Sequence, residues 1–356
     1  MCVSRSVASM GLRTRVSFGS AKPPVAVHFG NDDVVRLMQI NGTSDLTLQA
    51  SFEVPANDIA GLREAADCFR SRQSVISVSS SNMLLTHIRV ACNASDGEVV
   101  EKLCQRNEEW NEASIRQLPI YTNIRSAGKQ QLQQELLCVG VNRKVLEQCV
   151  STVEAASLRV RSVTVPIHAT LRAFDRLYRR DGDASVTSMV VDIDHVQTIA
   201  MIAHGLNLVV AGVLQSTLAP TENKRWHASP ALIPAGQLGS DNFERREQTS
   251  PRGLSLTHLE EQHTRGLSGK GSLVEELRGC ISHHSSLFPD RAIDRIVFTG
   301  SGALHADVCA SVADDLALQG FIADPSAWIS GAEDLASGPV WTTVAGMCLA
   351  YSEQPK

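Results

Sequence analysis

The chain has 356 residues, of which 43% are hydrophobic and 20% charged, so it has room for about two domains with well-buried cores. A formal net charge of −5 gives no electrostatic reason to expect nucleic acid or a membrane surface as a partner. No apolar run reaches the roughly 18 residues that a membrane-spanning helix needs.

Nine cysteines are scattered along the chain without a C-x-x-C pair. This spacing predicts reduced thiols in a cytosolic protein, and it offers no clustered ligands for zinc. The neighbours His283 and His284 stand in a helical stretch, where they indicate a partly exposed helix face. We therefore predict no metal site.

The first 22 residues are basic and rich in serine, contain no acidic residue and lack the continuous apolar core of a signal peptide. Their composition would also suit an organelle transit peptide. We favour a disordered tail, or a start codon placed too early, for residues 1–22.

Short strands joined by tight turns begin at residue 25. The first predicted elements are three strands, a helix and a strand, at residues 25–29, 34–40, 46–52, 57–71 and 74–79. Asn41-Gly42 is a strong hairpin signal because both residues tolerate positive φ. The three strands therefore predict an antiparallel meander.

A different group of elements follows, with Ser95 and Asn142 as helix caps. Its predicted members are a strand, a helix, two strands and a helix, at residues 84–91, 95–110, 117–124, 135–141 and 143–156. A strand at 158–163 then leads through Pro166, a good first-turn residue, into a helix at 167–178.

A second meander is predicted from three strands at 186–192, 197–203 and 208–214, which suggests a duplicated architecture. Residues 216–271 are polar and show little periodicity, as in a disordered insert or a degenerate subdomain. A helix at 273–287, a strand at 295–299 and a tight loop at 300–303 are predicted next. Two further helices are predicted at 306–316 and 339–351.

Several stretches carry a resemblance to a known family. Residues 294–304, DRIVFTGSGAL, resemble the D-R-I-V-L-A-G-G-G-A-L run of PilM, a type IV pilus assembly protein of the actin-like ATPase superfamily. Residues 77–174 resemble the inserted PilM module, and 323–325 and 343–350 resemble its V-A-D-P segment and closing helix. The chain is also similar to the cell-division protein FtsA and to cytosolic domains of type II secretion proteins.

The resemblance implies an α/β fold of two duplicated actin-like, RNase H-like domains with an inserted α+β module. The expected first domain comprises residues 23–78 and 158–183, and the inserted module comprises residues 79–157. The expected second domain comprises residues 184–215 and 272–356, and residues 216–271 form the polar insert.

In this superfamily two hairpin turns wrap the phosphates of ATP, using an acidic residue, glycine and small donors. The resemblance places the nucleotide site on two turns and an adenosine loop, at Gly30 and Asn31, at Asp192 and Asp194, and at Gly300, Ser301, Gly302 and Ala303.

Both turns depart from the family pattern. The first acid is lost, since alignment on Gly30 gives His28 and alignment on Arg36 gives Phe29. Asp32 and Asp33 stand where small donors belong, and two carboxylates repel a polyphosphate unless a metal intervenes. In the second turn Asp192 matches the family acid, but Asp194 replaces the glycine after it. We expect a polar β-turn without a cofactor, with ATP and Mg²⁺ as the alternative.

The main hypothesis is a cytosolic scaffold of a type IV pilus-like or type II secretion-like platform, without ATP hydrolysis. By resemblance it would hold the cytoplasmic tail of a PilN-like inner-membrane protein, and so lie at the inner face of the inner membrane. The strands at 117–124 and 135–141 are candidate walls of the groove, or else simply pack within their module.

The alternative is an enzyme, either an active actin-like ATPase or a sugar-kinase-like phosphotransferase, which would need phosphate donors in both turns. An FtsA-like filament protein is disfavoured, because FtsA generally carries a membrane-binding tail and residues 352–356 follow the last predicted helix directly. Homo-oligomer formation stays open.

Overall fold

The computed structural model describes residues 22–42, 45–124, 132–178, 186–205, 207–218, 233–234, 260–333 and 335–352. The predicted tail at 1–22, except Lys22, and most of the polar segment at 216–271 lie outside these residues.

The first meander forms one edge of a five-stranded sheet with the order β3-β2-β1-β4-β8. Its strands are β1 (Val25–Phe29), β2 (Val34–Asn41), β3 (Thr47–Pro55), β4 (Gln73–Ser77) and β8 (Arg159–Thr164). β1 is antiparallel to β2 and parallel to β4. Side chains alternate between the faces of the sheet, so Val25 and Val27 join one core cluster and Ala26 joins another.

Two helices cover the face that Val25 and Val27 share. α1 (Ile59–Asp67) and α3 (Arg143–Ala155) contribute Leu62 and Val153 to this cluster. Asp58 and Asn142 cap them by accepting backbone N–H groups with their side chains.

A small module lies between β4 and β8 in the chain. Its sheet has the order β5-β7-β6, from β5 (Met83–Ala91), β6 (Ala113–Ile124) and β7 (Gln133–Asn142). α2 (Asp96–Arg106) begins at a capping box of Ser95 and Glu98 and packs its Val99 and Leu103 on this sheet. β6 begins at Ala113, four residues before the predicted start at 117, because it pairs with β7 from Asn142 onward.

The second sheet has the order β11-β10-β9-β13-β14-β12. Its strands are β9 (Thr187–Ile193), β10 (Thr198–His204), β11 (Asn207–Leu214), β12 (Ile233–Pro234), β13 (Arg295–Thr299) and β14 (Gln319–Ile322). As in the first sheet, an antiparallel meander continues into parallel strands, here β13 and then β14. The duplicated α/β architecture that the sequence predicts is confirmed.

Two helices cover the second sheet, and one of them corrects a prediction. α5 (Glu260–Leu287) begins inside the segment 216–271 rather than at the predicted residue 273, and α6 (Ala306–Asp315) follows β13. The buried residues Leu273, Val274 and Leu277 fix α5 on the sheet, whereas its first turns are polar and show no apolar period in the sequence.

Two further helices cross between the sheets. α4 (Pro166–Ala173) and α7 (Thr342–Ser352) join one central cluster with residues of both sheets, among them Met38 and Met201. The hydroxyls of Thr170 and Thr343 lie 2.9 Å apart in this crossing. Within the described residues, no helix combines the length and the apolar character needed to cross a membrane. The division of the chain into domains stays a prediction.

Candidate functional site

Two hairpin turns face each other between the sheets. The first follows β1 and the second follows β9, so each occupies the same place in its meander. The amide of Gly30 donates to the carbonyl of Val34 at 2.9 Å, and the amide of Asp194 donates to the carbonyl of Gln197 at 3.0 Å. A Cβ at residue 30 would lie 2.3 Å from Asp32 Oδ1, so a side chain there would displace the Asp32 carboxylate.

Asn31 connects the turns directly. Its Nδ2 donates to Asp194 Oδ2 at 2.8 Å and to Ser80 Oγ at 2.7 Å. Its Oδ1 accepts from the backbone N–H of Ser81 at 3.1 Å. Ser80 was not among the predicted site residues, since it lies 49 positions from Asn31 and belongs to the turn after β4.

The loop after β13 completes the cleft. Ser301 Oγ donates to Asp194 Oδ1 at 2.6 Å, and Gly300 adopts φ 82°, a conformation that favours glycine. A Cβ at residue 300 would lie 2.4 Å from the carbonyl oxygen of Ile193. Gly302 and Ala303 are buried behind this surface, where Gly302 packs on Ile193. They position the loop rather than line the cleft.

The space left between these groups is small. The cavity has a volume of about 20 Å³, which is room for roughly one or two water molecules. Its lining comes from both sheets and from α4 and α7: His28, Gly30, Asp32, Arg36, Ser80, Pro166, Asp192, Asp194, Gly300, Ser301, Val340 and Thr343. Five of the eight predicted site residues line the cavity, and Asn31 bonds to Asp194 across the cleft. Gly302 and Ala303 lie behind them.

Asp32 and Asp33 differ in where they lie. Asp32 lies in the turn and bonds to Arg36 of β2, whose Nη1 donates to Asp32 Oδ1 at 3.2 Å and whose Nε donates to Glu53 at 2.8 Å. Burial acts to raise the pKa of Asp32, but the hydrogen bond and charge of Arg36 outweigh it and the pKa is lowered. Asp33 is exposed at the turn with φ 56°, so only Asp32 faces the cleft, contrary to the expectation for both.

Two ionisable groups are strongly perturbed in the cleft. Burial, and then the charge of Asp194, raise the pKa of Asp192 to about 7. Burial, and then the charge of Arg36, lower the pKa of His28 to about 4. His28 Nδ1 is buried and has no hydrogen-bond partner among the described residues. The cleft therefore holds a neutral imidazole and carboxyl groups close enough to affect each other.

Several groups of the cleft that could donate to a phosphate already have partners within the protein. The amides of Gly30, Asp194 and Gly300 already donate to protein carbonyls, the last to Pro339 at 3.3 Å. The hydroxyl of Ser301 and the amide of Asn31 already donate to the carboxylate of Asp194. Three carboxyl groups line the cavity, at Asp32, Asp192 and Asp194, and the Arg36 guanidinium that also lines it is paired with Asp32. A carboxylate repels phosphate. Among the described residues, no three His, Cys, Asp or Glu side chains are grouped to hold a metal ion.

Comparisons with known proteins find similarity to this chain in fold but not in sequence. No protein-family model and no curated protein sequence matches it. Among solved structures, the PilM-PilN type IV pilus biogenesis complex matches with a TM-score of 0.61 at 15% identity, over 94% of this chain and 99% of that chain. The chain has a PilM-like fold. The resemblance predicted from the sequence motifs is therefore confirmed at the level of the fold, in a divergent sequence.

Two other solved structures are similar over less of the fold. A protein of unknown function with an actin-like ATPase fold from Bacteroides thetaiotaomicron matches with a TM-score of 0.45 at 9% identity, over 85% of this chain and 90% of that chain. The cytoplasmic domain of EpsL, an inner-membrane component of the type II secretion system of Vibrio cholerae, matches with a TM-score of 0.37 at 14% identity. That match covers 54% of this chain and 70% of the EpsL domain.

Proposed function

We propose that the chain is a cytoplasmic scaffold of a type IV pilus-like or type II secretion-like assembly platform. It binds the cytoplasmic tail of a PilN-like inner-membrane protein and is held at the inner face of that membrane by this partner. The observation that carries the proposal is the likeness to the PilM-PilN complex, which extends over 94% of this chain and 99% of the other.

The cleft supports a role without catalysis. An ATPase or a phosphotransferase needs donors that position the phosphates and stabilise the transferred group. Here the amides of Gly30 and Asp194 and the side chain of Asn31 donate within the protein. The carboxyl groups of Asp32, Asp192 and Asp194 line the remaining space. The proposed scaffold therefore keeps the shell of a nucleotide-binding protein with a degenerate site.

The order of strands in the two sheets supports a specific location for the proposed tail-binding groove. β7 pairs with β5 on one side and β6 on the other, so the predicted wall at 135–141 offers no backbone edge for peptide addition. β8 is the last strand of the first sheet and follows the module in the chain. Its Val163 is 40% exposed, an apolar side chain on an edge strand. We place the proposed groove between β8 and the module.

A binding measurement tests this function. The probe is a synthetic peptide with the sequence of the cytoplasmic tail of a PilN-like inner-membrane protein. Fluorescence anisotropy is expected to show saturable binding, and Val163→Arg is expected to weaken it by about tenfold or more, equivalent to about 1.4 kcal/mol. Val196→Arg is the matched control, because Val196 is 51% exposed on the second hairpin turn, away from β8. Absence of saturable binding by the wild-type chain would overturn the proposal.

A further inference from the structure

The cleft is bridged by side chains of this chain at the place where a nucleotide would lie in an ATPase of this fold. Asn31 and Ser80 belong to the first sheet and its turns, and Asp194 and Ser301 belong to the second. The bond from Asn31 to Asp194 crosses between them at 2.8 Å, and Ser301 holds the other carboxylate oxygen at 2.6 Å. The Asp194 carboxylate thus accepts hydrogen bonds from both sides of the cleft, as a phosphate group would.

We infer that the Asn31–Asp194 hydrogen bond, supported by Ser80 and Ser301, closes the two sheets over the cleft without any nucleotide. The inference rests on the degenerate site of the proposed function and assigns its residues a mechanical role. The bridge fixes the relative orientation of the sheets, which suits a scaffold that presents a constant surface to its partner.

The orientation of the Asn31 amide is fixed by its neighbours. Its Oδ1 accepts from the amide of Ser81, a donor that belongs to the backbone and cannot exchange roles. Its Nδ2 must therefore point to Ser80 and Asp194. Asp194 is held in the same way, because Ser301 Oγ and the amide of His195 both donate to Oδ1, which leaves Oδ2 for Asn31.

A second attachment lies at the crossing of α4 and α7. The Cβ that Gly346 lacks would lie 1.9 Å from the carbonyl oxygen of Ala169, so these helices are in backbone contact. Both helices belong to the central cluster that contains residues of both sheets, so their contact joins the sheets away from the bridge. The bridge and the crossing hold the sheets at separate places, alongside the backbone bonds of Leu46 and Leu48 to Ser330. Removing the bridge therefore frees the mouth of the cleft, while these other contacts keep the two halves joined.

The exchange of the two bridging side chains provides a test. Asp194→Asn places an amide NH₂ against that of Asn31, and Asn31→Asp places a carboxylate against Asp194. Each single change breaks the bridge with little change in volume. The double variant Asn31→Asp/Asp194→Asn restores a donor opposite an acceptor, and its new carboxylate at position 31 still accepts from the backbone N–H of Ser81. Asp32→Asn is the matched control, since Asp32 lines the same cavity but bonds Arg36 within the first sheet.

The readout is the distance across the mouth of the cleft. Genetically encoded spin labels at Ala56 and Val196 avoid the native cysteines. Ala56 is exposed and its amide donates to Asp33 of the first turn, while Val196 is exposed on the second turn. Electron–electron double resonance without partner or nucleotide is expected to show a longer distance in both single variants. The wild type, the Asp32→Asn control and the double variant are expected to share one shorter distance.

Each outcome has a defined meaning. Unchanged distances in both single variants, or a double variant as open as the single ones, would overturn the inference. Circular dichroism of each variant confirms that a longer distance reflects opening rather than unfolding. The proposed function is tested separately by the tail peptide, so its failure would leave these distances as they are. A shorter wild-type distance on addition of Mg-ATP would instead overturn the degenerate site itself.

Discussion

Gly346 of α7 lies against the backbone of α4 at Ala169. A Cβ on Gly346 would lie 1.9 Å from the carbonyl oxygen of Ala169 and 3.0 Å from the amide nitrogen of Ala173. The two helices cross between the sheets, and the Thr170 and Thr343 hydroxyls that meet there at 2.9 Å are buried. The contact leaves no space for a side chain at Gly346, so this glycine is needed for packing, in addition to any effect on helix propensity.

Replacing this glycine is expected to separate the helices. Gly346→Ala should lower the free energy of unfolding by about 1–3 kcal/mol, because the added methyl group overpacks a backbone contact. Gly279→Ala on α5 is the matched control, since a Cβ there meets no atom within 4 Å. The control should be neutral or stabilising by up to about 1 kcal/mol, through helix propensity. Urea unfolding of both variants measures the difference, and equal effects would contradict the packing argument.

Asp192 is expected to destabilise the protein at alkaline pH. Its folded-state pKa is raised to about 7 by burial and by Asp194. A raised carboxyl pKa contributes stability that is complete below the unfolded pKa of about 4 and is lost as the pH rises to about 7. Asp192→Asn should therefore be more stable than the wild type at pH 8, on the order of 2 kcal/mol for this half-buried group, and the gain should vanish near pH 4.

Thermal unfolding from pH 4 to pH 8 measures the effect at Asp192. Glu154→Gln, an exposed carboxyl change on α3, serves as the control and should follow the wild-type curve. If Asp192→Asn showed the same difference from the wild type at every pH, the carboxyl would not titrate as described.

The contact of His204 and His284 should make the second sheet sensitive to acid. Their Nε2 atoms lie 2.7 Å apart, and His284 is fully buried. Burial, and then the charge of the other histidine, lower the pKa of His204 to about 4, and burial also lowers the pKa of His284. Because both imidazoles fold in the neutral form, stability is complete above the unfolded pKa of about 6.5 and is lost as the pH falls toward 4.

Removing one imidazole should reduce the loss of folding stability at acidic pH. We expect His284→Leu to lose less stability than the wild type between pH 6.5 and pH 4, by on the order of 2 kcal/mol. His283→Gln changes the neighbouring, exposed histidine, whose charge is a smaller cause than burial of the lowered pKa of His284, and should change the slope less than His284→Leu does. Chemical denaturation at several pH values measures both slopes, and His28 contributes equally to all three proteins. A His284→Leu slope equal to that of His283→Gln would exclude the pair as the source.

The local parts of the fold were readable in the sequence because their signals are local. The turn at Asn41-Gly42, the caps at Ser95 and Asn142, and Pro166 at the start of α4 each mark an element that the structure contains. The four-residue strand β14 was missed, since Gln319–Ile322 is too short to show a period of two. The first turns of α5 were not predicted, because their residues show no apolar period in the sequence.

The site could be predicted only in part, because some of its contacts join residues that are far apart in the sequence. Each turn could be compared with a family pattern, so Gly30, Asp192 and Gly300 were found. The bond between Asn31 and Asp194 joins residues 163 positions apart, and the pairing of two polar side chains at that separation has no signature in one sequence. The backbone angle of Asp33, an exposed residue that does not line the cavity, is likewise set by the folded turn.

The central claim, that side chains have replaced the phosphates in this cleft, is tested most directly by Mg-ATP. If ATP bound with a Kd of about 10 μM, 1 mM nucleotide would stabilise the protein by about 2.7 kcal/mol, which a thermal shift assay resolves easily. We predict no shift in melting temperature with 1 mM Mg-ATP. A saturable rise in melting temperature that required both ATP and magnesium would contradict the account.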